Sequence, residues 1–291
     1  MPDDRAAPRV HPQVRHLQDC VARNVPPRTD PGGAQVLLVG HRAKGRRDPA
    51  PEGAGDAAGA NARIDQAWYD KSAYFEAGAH IHDFGSRFQR YRVAKVLELH
   101  TPSSSDRVLD MGCGWGTISF ALAPRVREVV GLDFSERAVA GCDASLKRFG
   151  FRNVTFRVGD ARDSGFAPAS FDAVVAADLF EHLYPEDSGA VAAEAFRLLR
   201  PGGRLAVWTP CRSHIIEVLK NNDIILKRDV SHVDYKSMAR MKALLADAGF
   251  EIERACFAES HLPGLNLVER LSQRWIPLLR RRIAVLGRRP G

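Results

Sequence analysis

The sequence predicts a doubly wound α/β fold of seven strands, and three observations carry that expectation. Short apolar runs alternate with helical segments from 107 to 209, several runs end at an acid, and the first breaks into a glycine-rich turn. Strands joined by helical crossovers run parallel, so a ligand is expected outside their carboxyl ends. The turn is the run Val108-Leu-Asp-Met-Gly-Cys-Gly-Trp-Gly116, in which Val108 and Leu109 supply the apolar end of a buried strand. Gly112, Gly114 and Gly116 let the backbone take sterically restricted angles while a ligand lies against bare peptide. Thr117 to Ala123 then reads as the helix leaving the turn. Asp110, two residues before the first glycine, brings a carboxylate to the strand end, where it can meet a cation or a hydrogen-bond donor.

The later elements follow in order. Val129 to Asp133 is a short apolar run ending in an acid, at the interval of about twenty residues where doubly wound folds place a ribose-binding carboxylate. Val154 to Asp160 alternates as a strand does and ends in Gly-Asp. Phe171 to Ala177 reads as a central strand with Asp178-Leu-Phe-Glu-His182 at its mouth, and Leu198 to Pro210 joins a helix end, a Pro-Gly-Gly turn and a fifth strand. Ser237 to Ala248 is an amphipathic helix stopped by Gly249, Glu251 to Phe257 a sixth strand, and Arg282 to Gly287 a seventh.

This ordered set resembles the class I S-adenosylmethionine-dependent methyltransferases, whose first motif has the form D-x-G-x-G-x-G. The resemblance implies a Rossmann-like mixed sheet of order 3-2-1-4-5-7-6 with an antiparallel last strand, and S-adenosyl-L-methionine as cofactor. It implies cofactor contacts from Asp110, Gly112, Cys113 and Gly114, from Asp133 on the ribose hydroxyls with Phe134 beside it, from Asp160 and Ala161 at the adenine edge, and from Asp178. An NAD-dependent oxidoreductase would share a carboxylate like Asp133, but it would want G-x-G-x-x-G, and the position of its last glycine is Thr117.

The chemistry so implied is an in-line displacement by an acceptor lone pair, for which positioning can supply roughly 7 to 11 kcal/mol. A base matters only when the acceptor is a hydroxyl or an acidic carbon, and histidine suits that role near pH 7. His182 and His232 are the candidate catalytic residues. Glu181 could orient His182 or face the cofactor, and the alternative for His182 is a cap on the next helix. The stretch around His232 resembles one that lines or braces the acceptor pocket in the family, with Tyr235 a further donor or a packing residue. His80, His82 and Asp83 lack grouped third and fourth ligands, so no metal site is expected there. Arg87, Arg90 and Arg92 either bind an anionic acceptor group or form a solvated helix face.

Length and composition suit one sizeable core: 291 residues, 45% hydrophobic and 26% charged. Residues 1 to 60 are low in complexity, with only Ala34 to Gly40 apolar, and read as a disordered extension. Residues 61 to 291 are expected to form the methyltransferase domain: a lid or collar at 61 to 100, where Tyr69-Asp70 matches a pair in the family, a cofactor-binding core at 107 to 209, and an insertion at 259 to 280 between strands six and seven. No apolar run is long enough for a membrane span and the start lacks a signal-peptide core, which points to the cytoplasm. Five scattered cysteines without C-x-x-C spacing indicate neither a disulfide framework nor a zinc site. The net charge of +7 is concentrated in arginines near the C-terminus, and the segment after the fourth strand lacks the Pro-Pro-aromatic pattern of base-methylating enzymes. A small-molecule acceptor is therefore expected rather than nucleic acid, with the stretch 261 to 280, whose apolar spacing can form an amphipathic helix, covering substrate or touching a partner or lipid surface. The other readings are a non-catalytic binding module of the same fold, and an RNA or protein methyltransferase.

Overall fold

The computed structural model describes residues 63–71, 84–222, 224 and 229–291. The low-complexity stretch 1 to 60 and the residues His80, His82 and Asp83 lie outside the described residues. Seven strands form one sheet: β1 (Arg107–Met111), β2 (Glu128–Asp133), β3 (Val154–Val158), β4 (Phe171–Ala177), β5 (Leu199–Pro210), β6 (Glu251–Ala258) and β7 (Arg282–Arg288). Their order is β3-β2-β1-β4-β5-β7-β6, the order expected from the resemblance. β1 to β5 pair in parallel, whereas β7 runs antiparallel to both β5 and β6.

The helices are α1 (Gln66–Lys71), α2 (Arg87–Leu99), α3 (Thr117–Leu122), α4 (Glu136–Phe149), α5 (Pro185–Leu198), α6 (Ile215–Asn221), α7 (Met238–Asp247) and α8 (Leu265–Ser272). Local chemistry sets their ends. Ser86, Ser135 and Ser237 cap α2, α4 and α7, each side chain accepting a backbone N–H of the first turn. Pro185 opens α5 at a position where its missing N–H costs nothing.

The central strands are buried on both faces, so two cores form. On one face Val93 and Val96 of α2 and Ile118 and Phe120 of α3 pack over Val108, Val129 and Val175. On the other, Val191 and Ala195 of α5 and Met241 and Leu245 of α7 pack over Leu109, Val174 and Leu205. Burying each large aliphatic side chain contributes roughly 1.5–3 kcal/mol, and both layers hold the carboxyl ends of β1, β2 and β4 rigidly at one edge.

The stretch 261 to 280 is not one continuous amphipathic helix. It folds as the eight-residue α8 and a 3-10 turn at Pro277–Leu279, because Pro277 cannot extend a helix and Gly264, at φ +82°, starts α8 from a backbone that side chains disfavour. Its apolar residues face outward: Leu271 is 62% and Trp275 74% exposed. Among the described residues no helix is long and apolar enough to cross a membrane.

Candidate functional site

A cavity of about 890 Å³ opens at the carboxyl ends of the parallel strands. It is large enough for a nucleotide-sized ligand together with a second small molecule, within the roughly 300–1,000 Å³ of ordinary ligand sites. Gly112, Cys113, Gly114, Asp133, Phe134, Asp160, Ala161, Asp178, His182 and His232 all line it. Asp110 does not: it lies beneath the turn, 2% exposed, and accepts a hydrogen bond of 2.6 Å from Ser119 Oγ. Burial pushes its carboxyl up to about 6, against the opposing hydrogen bond from Ser119 and charge of Arg92.

One half of the cavity is built from the β1 and β2 ends. The turn after β1 turns back on β2, with the N–H groups of Gly112 and Cys113 donating to Leu132 O at 2.7 and 3.0 Å. Gly112 has φ +74°, and a Cβ there would come within 2.8 Å of Leu179, so only glycine fits. Gly114 has φ +51° and open space where a Cβ would stand, so its bare backbone borders the cavity. Asp133 Oδ2 accepts the Gly114 N–H at 2.8 Å and Oδ1 the Ser135 N–H at 3.0 Å, which locks the carboxylate beside the turn. Burial raises its pKa despite those amides. Cys113 stays a thiol, because hydrogen bonding to Cys142 and burial push it well above its ordinary value. Asp160 is held by Arg162 through a 2.6 Å ion pair, and that contact lowers its pKa. α1 closes this half from above: Tyr69 packs edge-on against Phe134 with centroids 5.1 Å apart, and Asp70 accepts a 2.6 Å hydrogen bond from Ser135 Oγ.

The other half is assembled from distant segments around the end of β4. Asp178, a non-glycine residue at φ +59°, receives Arg92 Nε from α2 and Arg282 Nη1 from β7, both at 2.6 Å. Burial opposes its charge, but the two guanidiniums outweigh that and hold the carboxyl at about 2. Glu181, 1% exposed, accepts from Thr209 Oγ1 at 2.9 Å, and burial together with the Asp178 charge pushes its pKa well up. His182 Nδ1 lies 3.0 Å from Ser231 O and 3.1 Å from Tyr69 Oη. Burial, reinforced by His232, lowers His182 to about 4.

The two histidines belong to separate loops, yet their rings are 4.8 Å apart. Lys236 explains this: fully buried, its Nζ donates to Phe180 O at 2.6 Å and Leu183 O at 3.2 Å, while Val233 and Asp234 donate their N–H groups to Glu181 O. The loop before α7 is thereby stitched to the 3-10 turn that carries His182. Tyr235 is 9% exposed, lies outside the cavity lining, and bridges Glu217 and His232.

Sequence reasoning missed three contributors. Arg281 and Arg282 read as part of a basic C-terminus, yet both line the cavity, and Lys236 carried no motif. The signal for the arginines lay in the expected topology: an antiparallel β7 begins at the edge where the parallel strands end. Arg92, open between anion binding and a solvated face, is paired with Asp178. Arg63, Ile64 and Tyr69 around α1, with Phe88, Gln89 and Arg92 of α2, supply the cover over the cavity.

Residues 108–203 match the family model described as a methyltransferase domain. Nocamycin O-methyltransferase of Saccharothrix syringae is 39% identical over 140 residues, covering 47% of this chain and 49% of the relative. A ubiquinone biosynthesis O-methyltransferase of Thiobacillus denitrificans is 28% identical over 193 residues, covering 64% of this chain and 78% of the relative. The chain thus matches about half the length of the first of these relatives. In fold it is similar to an S-adenosylmethionine-dependent methyltransferase from Mesorhizobium loti, with a TM-score of 0.54 at 18% identity, over 70% of this chain and 99% of that one. The match spans the strands and the turn that build the first half of the cavity; in that domain and in sheet order the chain is similar to S-adenosylmethionine-dependent methyltransferases.

Proposed function

We propose that this protein transfers a methyl group from S-adenosyl-L-methionine to an oxygen of a small-molecule acceptor. The observation that carries the reading is the meeting, in one cavity, of the glycine turn and Asp133 with a half-buried histidine pair on the opposite side. The residues present fit the cofactor: bare backbone at Gly112 to Gly114 borders the space, and Asp133 keeps carboxylate lone pairs beyond the two amides it accepts. On this reading Asp133 holds the ribose hydroxyls, Phe134, Asp160 and Ala161 border the adenine, and Asp110 braces the turn from beneath. When bound, the cofactor supplies an electrophilic methyl group on a sulfonium. The chain's own part is to bind, orient and exclude water, with α1 and α2 as cover, and His182 and His232 directing the acceptor oxygen.

The names of the relatives support oxygen as the methylated atom and a small molecule as the acceptor. The exposed apolar residues of 262 to 278 favour a second reading, in which the acceptor is itself lipid-like and is taken from a surface that this flank touches. The test is incubation of the full chain with methyl-labelled cofactor and a panel of phenols, aliphatic alcohols and polyketide-like hydroxy acids, followed by mass spectrometry. A labelled methyl ether is the expected product. Saturable cofactor binding with no labelled product from any acceptor fraction, lipid extracts included, would leave a binding module of the same fold.

A further inference from the structure

We propose that Glu181, His182 and His232 hold a divalent first-row transition cation at the acceptor end of the cavity. One ligand atom from each of the three side chains lies within 4.8 Å of the others. Ligands about 2.0–2.1 Å from a shared ion stand roughly 3–4 Å apart, so modest side-chain rotation closes the site.

The surrounding hydrogen bonds prepare both imidazoles as ligands. Ser231 O, 3.0 Å from His182 Nδ1, can only accept, so Nδ1 carries the proton and Nε2 is left with its lone pair. Tyr235 donates its one hydroxyl proton to Glu217 Oε2 at 3.0 Å, so it accepts from His232 Nδ1 at 2.7 Å and leaves that Nε2 unprotonated as well. Thr209 orients the Glu181 carboxyl by donating to Oε2. Outer partners of this kind, a carbonyl, a hydroxyl relayed to a carboxylate and a threonine, are what metal-ligating side chains use to fix tautomer and direction.

The charges around the cluster leave room for a cation. Arg282 and Arg92 are taken by Asp178, and Arg281 by Glu217 at 2.8 Å. Asp229 adds a carboxylate 3.6 Å from His232 Nε2. Two imidazole nitrogens and one carboxylate oxygen suit manganese, iron, cobalt or zinc better than magnesium or calcium, which prefer all-oxygen shells. All three residues line the cavity, so the remaining coordination positions would face the acceptor.

This inference deepens the acceptor half of the proposed reaction and takes its role, though not its existence, from that reading. The ion would make the acceptor hydroxyl acidic. Its proton leaves to solvent, the oxygen forms the bond to the methyl carbon, and the carbon–sulfur pair stays on sulfur, giving a methyl ether and S-adenosylhomocysteine.

The test is calorimetric titration of the metal-stripped full chain with Mn²⁺ and with Zn²⁺, repeated on His232→Ala, Glu181→Gln and the fold-conserving Tyr235→Phe. One ion per chain is expected in the wild type, with affinity lowered at least a hundredfold by the first two changes. Tyr235→Phe removes the acceptor of the His232 proton together with the donor to Glu217, touches no proposed ligand, and should lower affinity about tenfold. Absence of one-per-chain uptake overturns the site, as does uptake that all three variants leave unchanged, which would put the ion elsewhere in the chain. S-adenosylhomocysteine affinity, measured on the same samples, reports separately on the cofactor assignment and stays at the wild-type value whichever way the ion result falls.

Discussion

The two halves of the cavity are held together by different kinds of contact. On the cofactor side, Gly112 to Gly116 and Asp133 come from adjacent strands and are locked by short backbone bonds within about twenty residues of sequence. In the half proposed to face the acceptor, Arg92, Asp178, His182, His232 and Arg282 come from α2, the β4 end, a 3-10 turn, the loop before α7 and the start of β7. Their geometry depends on buried ion pairs and on one buried lysine. The first half can vary little without losing the turn, whereas the second is set by long-range contacts that sequence changes elsewhere can rearrange. That is the arrangement expected of a shared cofactor presented to differing acceptors.

The sharpest break in this comparison should come from Asp178→Ala. It removes the carboxylate that Arg92 and Arg282 share; breaking one side of a fully buried charge pair costs about 3–5 kcal/mol, and this partly exposed cluster should lose up to that amount. Chemical denaturation should show that loss, while cofactor affinity in the folded fraction falls less than in Asp133→Ala. A larger affinity loss at 178 would mean that the boundary between the halves is misdrawn.

Next in size is Asp133→Ala, expected to weaken S-adenosylhomocysteine binding ten- to a hundredfold, or about 1.5–3 kcal/mol. Gly114→Val makes the same point by volume, since its side chain would enter the cavity from a backbone at φ +51° that a branched residue resists. Ordinary binding by either variant removes that residue from the site.

A smaller effect should separate Asp110 from its neighbours. Its folded pKa of about 6 lies above the unfolded value of 3.8, so its contribution to stability is full below about pH 4 and is lost as pH rises through 6. Asp110→Asn keeps an acceptor for Ser119 and removes the buried charge. It should therefore stabilise the protein by on the order of 1–3 kcal/mol above pH 6 and leave stability near pH 4 unchanged. Thermal melts across that window would show the difference narrowing towards low pH, and a gap that persists at pH 4 would deny the titration.

Least of all should change on truncation before Asn61, which we expect to leave cofactor affinity and methyl transfer within a factor of two or so, since its composition has little apolar material to add to a core. Loss of either property in a soluble truncated protein would bring the tail into the site.

The strands, the glycine turn and the acid at the end of β2 were legible in the sequence because each is written in neighbouring residues, whereas the strand order came from the family resemblance. Period-two apolar runs, glycines at positions of positive φ and an acid at a strand end are local necessities of backbone sterics and burial. The stretch 261 to 280 has helical apolar spacing but is interrupted for an equally local reason, since Pro277 cannot extend a helix. What no local pattern carries is the acceptor side. That Asp110 turns under the loop while Asp178 is clamped by two arginines, and that Lys236 draws His232 to within 4.8 Å of His182, follow from which buried charges find partners once the sheet has closed. Residues from 92 to 282 meet there only because the antiparallel β7 starts where the parallel strands end, and that juxtaposition exists in the folded chain alone.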